Sequence, residues 1–373
     1  MTTPTPSGIV DIHDIWADAL TGYSAEVKAG DTVMVTGGVA AMPLFQALHR
    51  SIVRRGAHPV IVPQLPGLAT DLLTNGNDDQ LTFLTPIERF ERLEADVNIR
   101  ILADTNTRAM TGVDPARQSL WTSARRELFT TYMQRASEGS LNWTLTLYPT
   151  DAYAQDAGMS LEDFRAFVYR ACKLDQPDPS AAWRAVFDEQ QRLCDFLDSK
   201  SEIRVTGVDT DLTLSTAGRK WINSDAQRNF PGSEIFTGPV EDSANGHVRF
   251  AFPAVLAGRE VRDIRLTFEN GKVVEATAAE NEEYLIRQLD TDPGARFLGE
   301  FAIGTNYGID RFTKNILFDE KIGGTFHMAV GSGYPDTGST NRSAIHWDMI
   351  GDMAEGEMTA DGEVFYRNGE FTI

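Results

Sequence analysis

Cysteine is nearly absent from this sequence. Its 373 residues include only Cys172 and Cys194. Both lie in stretches that read as helices (FRAFVYRACKL and EQQRLCDFL), so two buried free thiols are expected rather than a disulfide framework or a CxxC site. Basic side chains are also scarce, 34 against 54 acidic ones, for a net charge of −20. That balance argues against nucleic acid as a partner, because phosphate binding needs clustered Lys and Arg, and against anionic membrane surfaces. It suits cations, among them metal ions and the amino termini of peptides. No apolar run approaches the length of a membrane span. The opening stretch MTTPTPSGIVDIHDIW lacks a basic segment followed by an apolar one, so no signal peptide is expected and the protein reads as cytoplasmic. HExxH and GxSxG are missing, which sets aside the single-zinc helical protease and the serine hydrolase elbow. TGGVAAM (residues 36–42) is neither GxGxxG nor a Walker motif, and it reads as a tight turn into a helix.

The chain is longer than one hydrophobic core usually serves, so two domains are expected, residues 1–200 and 201–373. The first half alternates strand and helix signals. DTVMVT (31–36), a helical stretch over 40–55 closed by Gly56, and PVIVP (59–63) form a βαβ unit. VNIRILA (97–103), a long polar helix over about 116–138 and LNWTLTL (141–147) continue the pattern. Helices are predicted over 160–174 and 179–198. Beyond residue 199 the chain turns β-rich, with hairpin signals at Asn270-Gly271, Asp361-Gly362 and Asn368-Gly369. The fold class is therefore α/β: an N-terminal open α/β domain with a mostly parallel sheet, and a β-rich α+β C-terminal domain.

Only six histidines are present: His13, His49, His58, His247, His327 and His346. His13, His49 and His58 read as structural or solvated. His346 stands in SAIHWDMI, where a strand would project His346 and Asp348 to one face and Trp347 to the other. His327 stands in GGTFHMAVGSGYP, with Thr325, His327 and Ala329 on one face of a strand and Phe326, Met328 and Val330 on the other. The glycine-rich loop after it carries Tyr334, a phenol able to donate to an oxyanion. Glu234 (FPGSEIFTGP) and Glu300 (ARFLGEFAIG) are acids in apolar surroundings, expensive to bury unless paired or metal-bound. Glu241, Asp242, Asp319 and Glu320 compete with them. Three carboxylates and two histidines suit a hydrolytic site of two divalent cations, Zn²⁺, Co²⁺ or Mn²⁺.

Several stretches in order resemble the thermophilic aminopeptidase family of metallopeptidases, the broad-specificity bacterial enzymes. They are TDLTLSTAGRKWINSD (210–225), FPGSEIFTGPVEDSANG (230–246), LDTDPGARFLGEFAIGTN (289–306), ILFDEKIGGTFHMAVGSGYPDTG (316–338) and NRSAIHWDMI (341–350). The match is dense over about residues 140–373; over the first 135 only the α/β texture agrees, and the N-terminal region reads as somewhat short beside typical members. The resemblance implies a dinuclear centre whose ligands fall on Glu234, Glu300 (a candidate bridge), His327, His346 and Asp348, with Tyr334 as the active-site tyrosine. It also implies a homodimer whose active sites face a shared cavity that admits short peptides.

The expected reaction is hydrolysis of the N-terminal peptide bond. Metals activate a shared water, Tyr334 steadies the oxyanion, and Glu300 or a neighbour such as Glu241 moves the proton. Two other readings stay open. His327, His346 and Asp348 alone are a two-histidine, one-carboxylate set of the kind that holds non-haem Fe(II) in ring-cleaving dioxygenases of the dihydroxypyridine type. A non-catalytic peptide- or metal-binding protein on the same scaffold is the third.

Overall fold

The computed structural model describes residues 11–256 and 258–373. The first ten residues, most of the stretch read above for a signal peptide, lie outside the described residues. The chain forms two compact units. One comprises residues 1–155, 159–183 and 226–230, the other residues 156–158, 184–225 and 231–373.

The first unit is built on a five-stranded sheet, parallel throughout. Its order is His58–Gln64, Thr32–Gly38, Val97–Leu102, Asn142–Leu147, Asn229–Phe230. Helix Met42–Arg54 links the first two strands in sequence and buries Leu44, Phe45, Leu48 and Ile52, the i, i+4, i+8 stripe of an amphipathic helix. Gly56, at φ 76°, lets the chain turn back into the next strand. This is the expected βαβ arrangement. One predicted element differs. The helix expected over 116–138 is two helices, Pro115–Ala124 and Arg126–Ser137. They part at Arg125, whose guanidinium donates to the carbonyls of Leu81 (3.0 Å), Trp121 (3.1 Å) and Phe83 (3.2 Å) and pairs with Glu88 at 2.6 Å. A side chain with that many fixed partners sets its own backbone, and helical periodicity yields. Cys172, in the first unit, and Cys194, in the second, are buried free thiols, as the sequence suggested.

The second unit is antiparallel and β-rich. An eight-stranded sheet runs in the order Lys272–Thr277, Ile264–Glu269, Asn245–Phe250, Thr210–Ser215, Glu202–Gly207, Glu357–Ala360, Glu363–Arg367, Glu370–Phe371. At Asn270-Gly271, Asp361-Gly362 and Asn368-Gly369 both central residues have positive φ, as a type I′ hairpin turn demands. A five-stranded antiparallel sheet holds His346–Asp352, Thr325–Gly331, Leu298–Gly304, Glu234–Thr237 and Ile222–Ser224, in that order. Alternate residues of both sheets meet in one apolar core: Ile203, Val205, Leu212, Leu214, Leu266 and Phe268 from the larger, Phe301, Ile303, Phe326, Met328, Trp347 and Met349 from the smaller. Burying each such side chain contributes roughly 1.5–3 kcal/mol. That gain lets the smaller sheet carry charged side chains on its other face.

The Leu298–Gly304 strand changes phase along its length. Leu298 pairs with Val330 but Glu300 pairs with Ala329, so two steps on this strand answer one on its neighbour. This is a β-bulge at Gly299. Without it, Leu298 and Glu300 would share a face. With it, Leu298 enters the apolar core beside Phe301 while Glu300 faces the other way. A Cβ at Gly299 would lie 2.4 Å from the Ser332 carbonyl oxygen and 2.6 Å from that of Gly331. Gly299→Ala should therefore destabilise the protein by about 1–3 kcal/mol, read as a lower denaturant midpoint at unchanged slope. An unchanged midpoint would mean the bulge relaxes freely.

Candidate metal centre

The face of the smaller sheet opposite the core has small residues as its floor and acids and imidazoles around it. Strand register sets the arrangement. Glu300 lies across from Ala329, and Ala329 from Asp348. His327 lies across from Ala302, His346 from Gly331 and Glu234 from Gly304. Strands are about 4.8 Å apart, so Glu300 and Asp348 flank Ala329 at one strand spacing on either side. The methyl of Ala329 leaves room for their carboxylates to converge. The alternation expected around His327 and around His346–Trp347–Asp348 is present, with Phe326, Met328, Val330 and Trp347 on the core side.

All five side chains that the sequence singled out as ligands come together. His327 Nε2 is 3.6 Å from Glu234 Oε2 and 3.8 Å from Glu300 Oε1. His346 Nε2 is 3.2 Å from Glu300 Oε2 and 3.5 Å from Asp348 Oδ1. Glu300 thus turns one carboxylate oxygen towards each histidine. The Nδ1–H of His346 donates to the Ser332 carbonyl at 2.7 Å, leaving Nε2 free to face the acids. Glu300 and Glu234 are 5% exposed and His327 1%.

These separations suit a cation better than hydrogen bonds. Charged hydrogen bonds run at about 2.7–2.9 Å, whereas donor atoms about 2.05 Å from a tetrahedral Zn²⁺ stand roughly 3.3 Å apart. Among the described residues, Glu234 Oε2, Asp348 Oδ1 and His327 Nδ1 are buried with no hydrogen-bond partner. Leaving buried carboxylate oxygens unsatisfied is costly. Two donor groups, Glu234–Glu320–His327 and Glu300–His327–Asp348, can each converge on a point. The residues fit divalent cations by spacing, by orphaned atoms and by oxygen and imidazole chemistry.

Electrostatics agree. Burial alone would pull both imidazoles down, but Glu300, with Glu234 and Asp348, raises His327 to about 9. Asp348 and Glu300 raise His346 to about 11. Burial opposes ionisation of Glu300 and Asp348 as well, yet the facing histidines hold both carboxyls below their ordinary values. With no divalent ion, protons on the imidazoles do the neutralising.

Tyr334 is 43% exposed, its ring edge-on to His346 (centroids 5.0 Å apart) and to Phe236 (5.6 Å). Desolvation, then the charges of Glu300, Asp348, Glu320 and Glu234, push its hydroxyl well above the ordinary phenol range. Glu241, the alternative proton carrier, is engaged elsewhere. It accepts from the Thr340 amide (2.7 Å) and hydroxyl (2.9 Å) and pairs with Arg219. Asp319 is spent on Thr313, accepting from its amide and hydroxyl at 2.7 and 2.8 Å. His49, His58 and His247 are exposed, and His13 pairs with Asp11.

Sequence reasoning left Glu320 among competing acids and passed over Lys321. Both belong to the cluster. The Lys321 ammonium pairs with Glu320 and lies 3.4 Å from Glu234 Oε1. Burial, opposed by Lys321, raises Glu320 to about 8. The available signal was the charged triplet Asp319-Glu320-Lys321 set between Leu317, Phe318 and Ile322, an improbable place for solvated charge.

Comparison with known proteins agrees with this geometry. The chain is 27% identical over a 416-residue alignment to "Aminopeptidase 2" of Geobacillus stearothermophilus, covering 96% of this chain and 97% of that one. It is 29% identical over 297 residues to "Aminopeptidase T" of Thermus aquaticus, covering 70% and 71%. The solved structure of wild-type AmpT from Thermus thermophilus superimposes with a TM-score of 0.82 at 24% identity, covering 97% of this chain and 99% of that one, which bears out the α/β fold. The dioxygenase reading of His327, His346 and Asp348 gains no support from these relatives. The model of the family described as "Thermophilic metalloprotease (M29)" matches residues 13–371. The resemblance drawn from the C-terminal motifs is borne out, with the enzyme class it implies, a metal-dependent peptide hydrolase: the chain belongs to the thermophilic metalloprotease family.

Proposed function

We propose that the chain is an aminopeptidase that removes the N-terminal residue of short peptides at a centre of two divalent cations. The observation that carries this reading is Glu300, whose two oxygens face one histidine each and so suit a carboxylate shared by two ions. Glu234, Glu300 and His327 would hold one cation; Glu300, His346 and Asp348 would hold the other. Bound there, Zn²⁺, Co²⁺ or Mn²⁺ would supply Lewis acidity for activating a water and polarising the scissile carbonyl. The names of the relatives support the exopeptidase assignment.

The chain's own residues divide the remaining work. Glu234, Glu300 and Asp348 lend the centre the negative charge that attracts the substrate's α-ammonium group. Tyr334 stays protonated at neutral pH and donates to the carbonyl oxygen as negative charge develops there. Because Glu241 is held by Thr340 and Arg219, moving the proton to the leaving amine falls to Glu300. The division of the sequence at residue 200, a homodimer and a cytoplasmic setting belong to the same proposal, resting on the sequence texture and the family resemblance. Among the described residues no helix is long and apolar enough to cross a membrane.

Metal analysis alongside hydrolysis of aminoacyl-p-nitroanilides tests the proposal. Two divalent ions per chain and activity lost on N-acetylation of the substrate are expected. One iron per chain, or equal turnover of the acetylated substrate, would overturn it. Tyr334→Phe should lower kcat about 10²- to 10³-fold while leaving metal content and KM near those of the parent. A change in KM alone would make Tyr334 a binding residue only.

A further inference from the structure

Lys321 is not needed to hold two cations or to move a proton, yet it lies in the middle of the cluster. A lysine is almost never fully buried unless paired, and Lys321 is 0% exposed. Its ammonium presents no surface to solvent. Its ion-pair partners are Glu320 and Glu234, both on the His327 side of the centre. Among the described residues no ammonium forms an ion pair with Asp348 or His346, and the charge of Lys321 acts on Asp348 only behind those of His346 and His327. Its position is rigid: the Asn306 amide donates to the Lys321 carbonyl at 2.9 Å, and the Gly323 amide to the Asn306 carbonyl at 3.0 Å. Gly304, across from Glu234, is what admits this backbone, since a Cβ there would lie 2.2 Å from the Ile322 carbonyl oxygen. The ammonium takes up Glu320 and Glu234 Oε1, leaving Glu234 Oε2 as the orphaned atom.

We propose that Lys321 is a resident monovalent cation that makes the two halves of the centre unequal. The first divalent ion binds at Glu300, His346 and Asp348. The second, at Glu234 and His327, binds more weakly because it must stand beside the ammonium. Lys321 is thus a positioning residue. It holds Glu234 to a single free oxygen and keeps Glu320 out of the ligand set. This inference rests on the two-cation reading above.

Titration of the metal-free protein with Co²⁺ alone, followed by calorimetry and equilibrium dialysis, tests it without any activity measurement. The wild type should bind two ions in separable steps. Glu234→Gln should remove the weaker step and Asp348→Asn the tighter one. Lys321→Met should keep two ions and tighten the second step relative to the first by about tenfold or more, whereas Lys321→Arg should keep the wild-type gap. If circular dichroism shows Lys321→Met unfolded, Lys321→Gln carries the same expectation. Equal steps in the wild type, a weaker step lost in Asp348→Asn, or a gap unchanged in the uncharged variant would overturn the role of Lys321 and leave the two-cation reading standing. Equal weakening of both steps in the uncharged variant would do the same, since that is what a merely structural lysine would give. A wild type that binds one ion overturns the two-cation reading itself.

Discussion

Glu300→Gln will lower kcat/KM on an aminoacyl-p-nitroanilide by about 10³-fold or more and reduce bound metal from two ions to one or none. Glutamine fills the same volume, so the Leu298–Gly304 strand and its bulge have no reason to move. The change is electronic. One charged carboxylate that faces His327 with Oε1 and His346 with Oε2 becomes an amide with a single acceptor oxygen. An amide cannot serve two cations at once, nor take up and return a proton near neutral pH. Three proposed roles (shared ligand, charge balance and proton carrier) vanish together, which is why the expected loss exceeds that for Tyr334→Phe. Full peptidase activity with normal metal content would sink the scheme for this site.

Removing the metal will cost the protein thermal stability, and the cost will grow with pH. A site held at about 100 times its Kd contributes about 2.7 kcal/mol, and about 1 kcal/mol moves Tm by roughly 2–4 °C in proteins of 150–250 residues. Two sites should therefore lower Tm by on the order of 10 °C on chelation. In the metal-free chain the imidazoles do the cations' work. His327 is raised to about 9 and His346 to about 11, against roughly 6.5 in an unfolded chain. Groups whose pKa rises on folding stabilise fully below their unfolded value, and that contribution disappears as pH climbs through the folded one. The metal-free protein should lose stability from about pH 6.5 through about 9, where His327 titrates, to about 11, where His346 does. In the loaded protein both imidazoles are neutral ligands, and metal affinity itself rises with pH. Calorimetric scans with and without chelator should show a wider gap in Tm at pH 9 than at pH 6.5. A gap that narrows would mean His327 and His346 do not face the metals.

Much of this was readable from periodicity. Alternation set Phe326 and Met328 against Thr325, His327 and Ala329, and Trp347 against His346 and Asp348, and the structure keeps those faces apart. The βαβ unit and the three hairpin turns follow from local chemistry in the same way. Glu300 stood out only by its apolar neighbours, and its selection rested on the family resemblance, because the bulge at Gly299 breaks the two-residue period that would have assigned its face. Glu234 sits on a four-residue strand, too short to show alternation, and only the family resemblance chose it over Glu241. Lys321 escaped, and Glu320 stayed one competitor among several, because their placement comes from a backbone brought against Gly304, a long-range approach no local pattern announces. The break at Arg125 likewise depends on carbonyls more than forty residues earlier, at Leu81 and Phe83.

The bulge at Gly299 also says what kind of change this protein can absorb over time. Substitutions leave the reading frame of a strand intact, but a one-residue insertion or deletion between Leu298 and Gly304 would act like a dislocation in a lattice. Every side chain beyond it would exchange sides: Glu300 would be driven into the core, and Phe301 would land among the imidazoles. The hairpin at Asp361-Gly362 carries no such constraint, because both turn residues are exposed and nothing lies within 4 Å of where a Cβ on Gly362 would stand. Variation in length should therefore collect in exposed turns of that kind, while the strands beneath the metal centre keep a fixed count of residues even as their apolar letters drift.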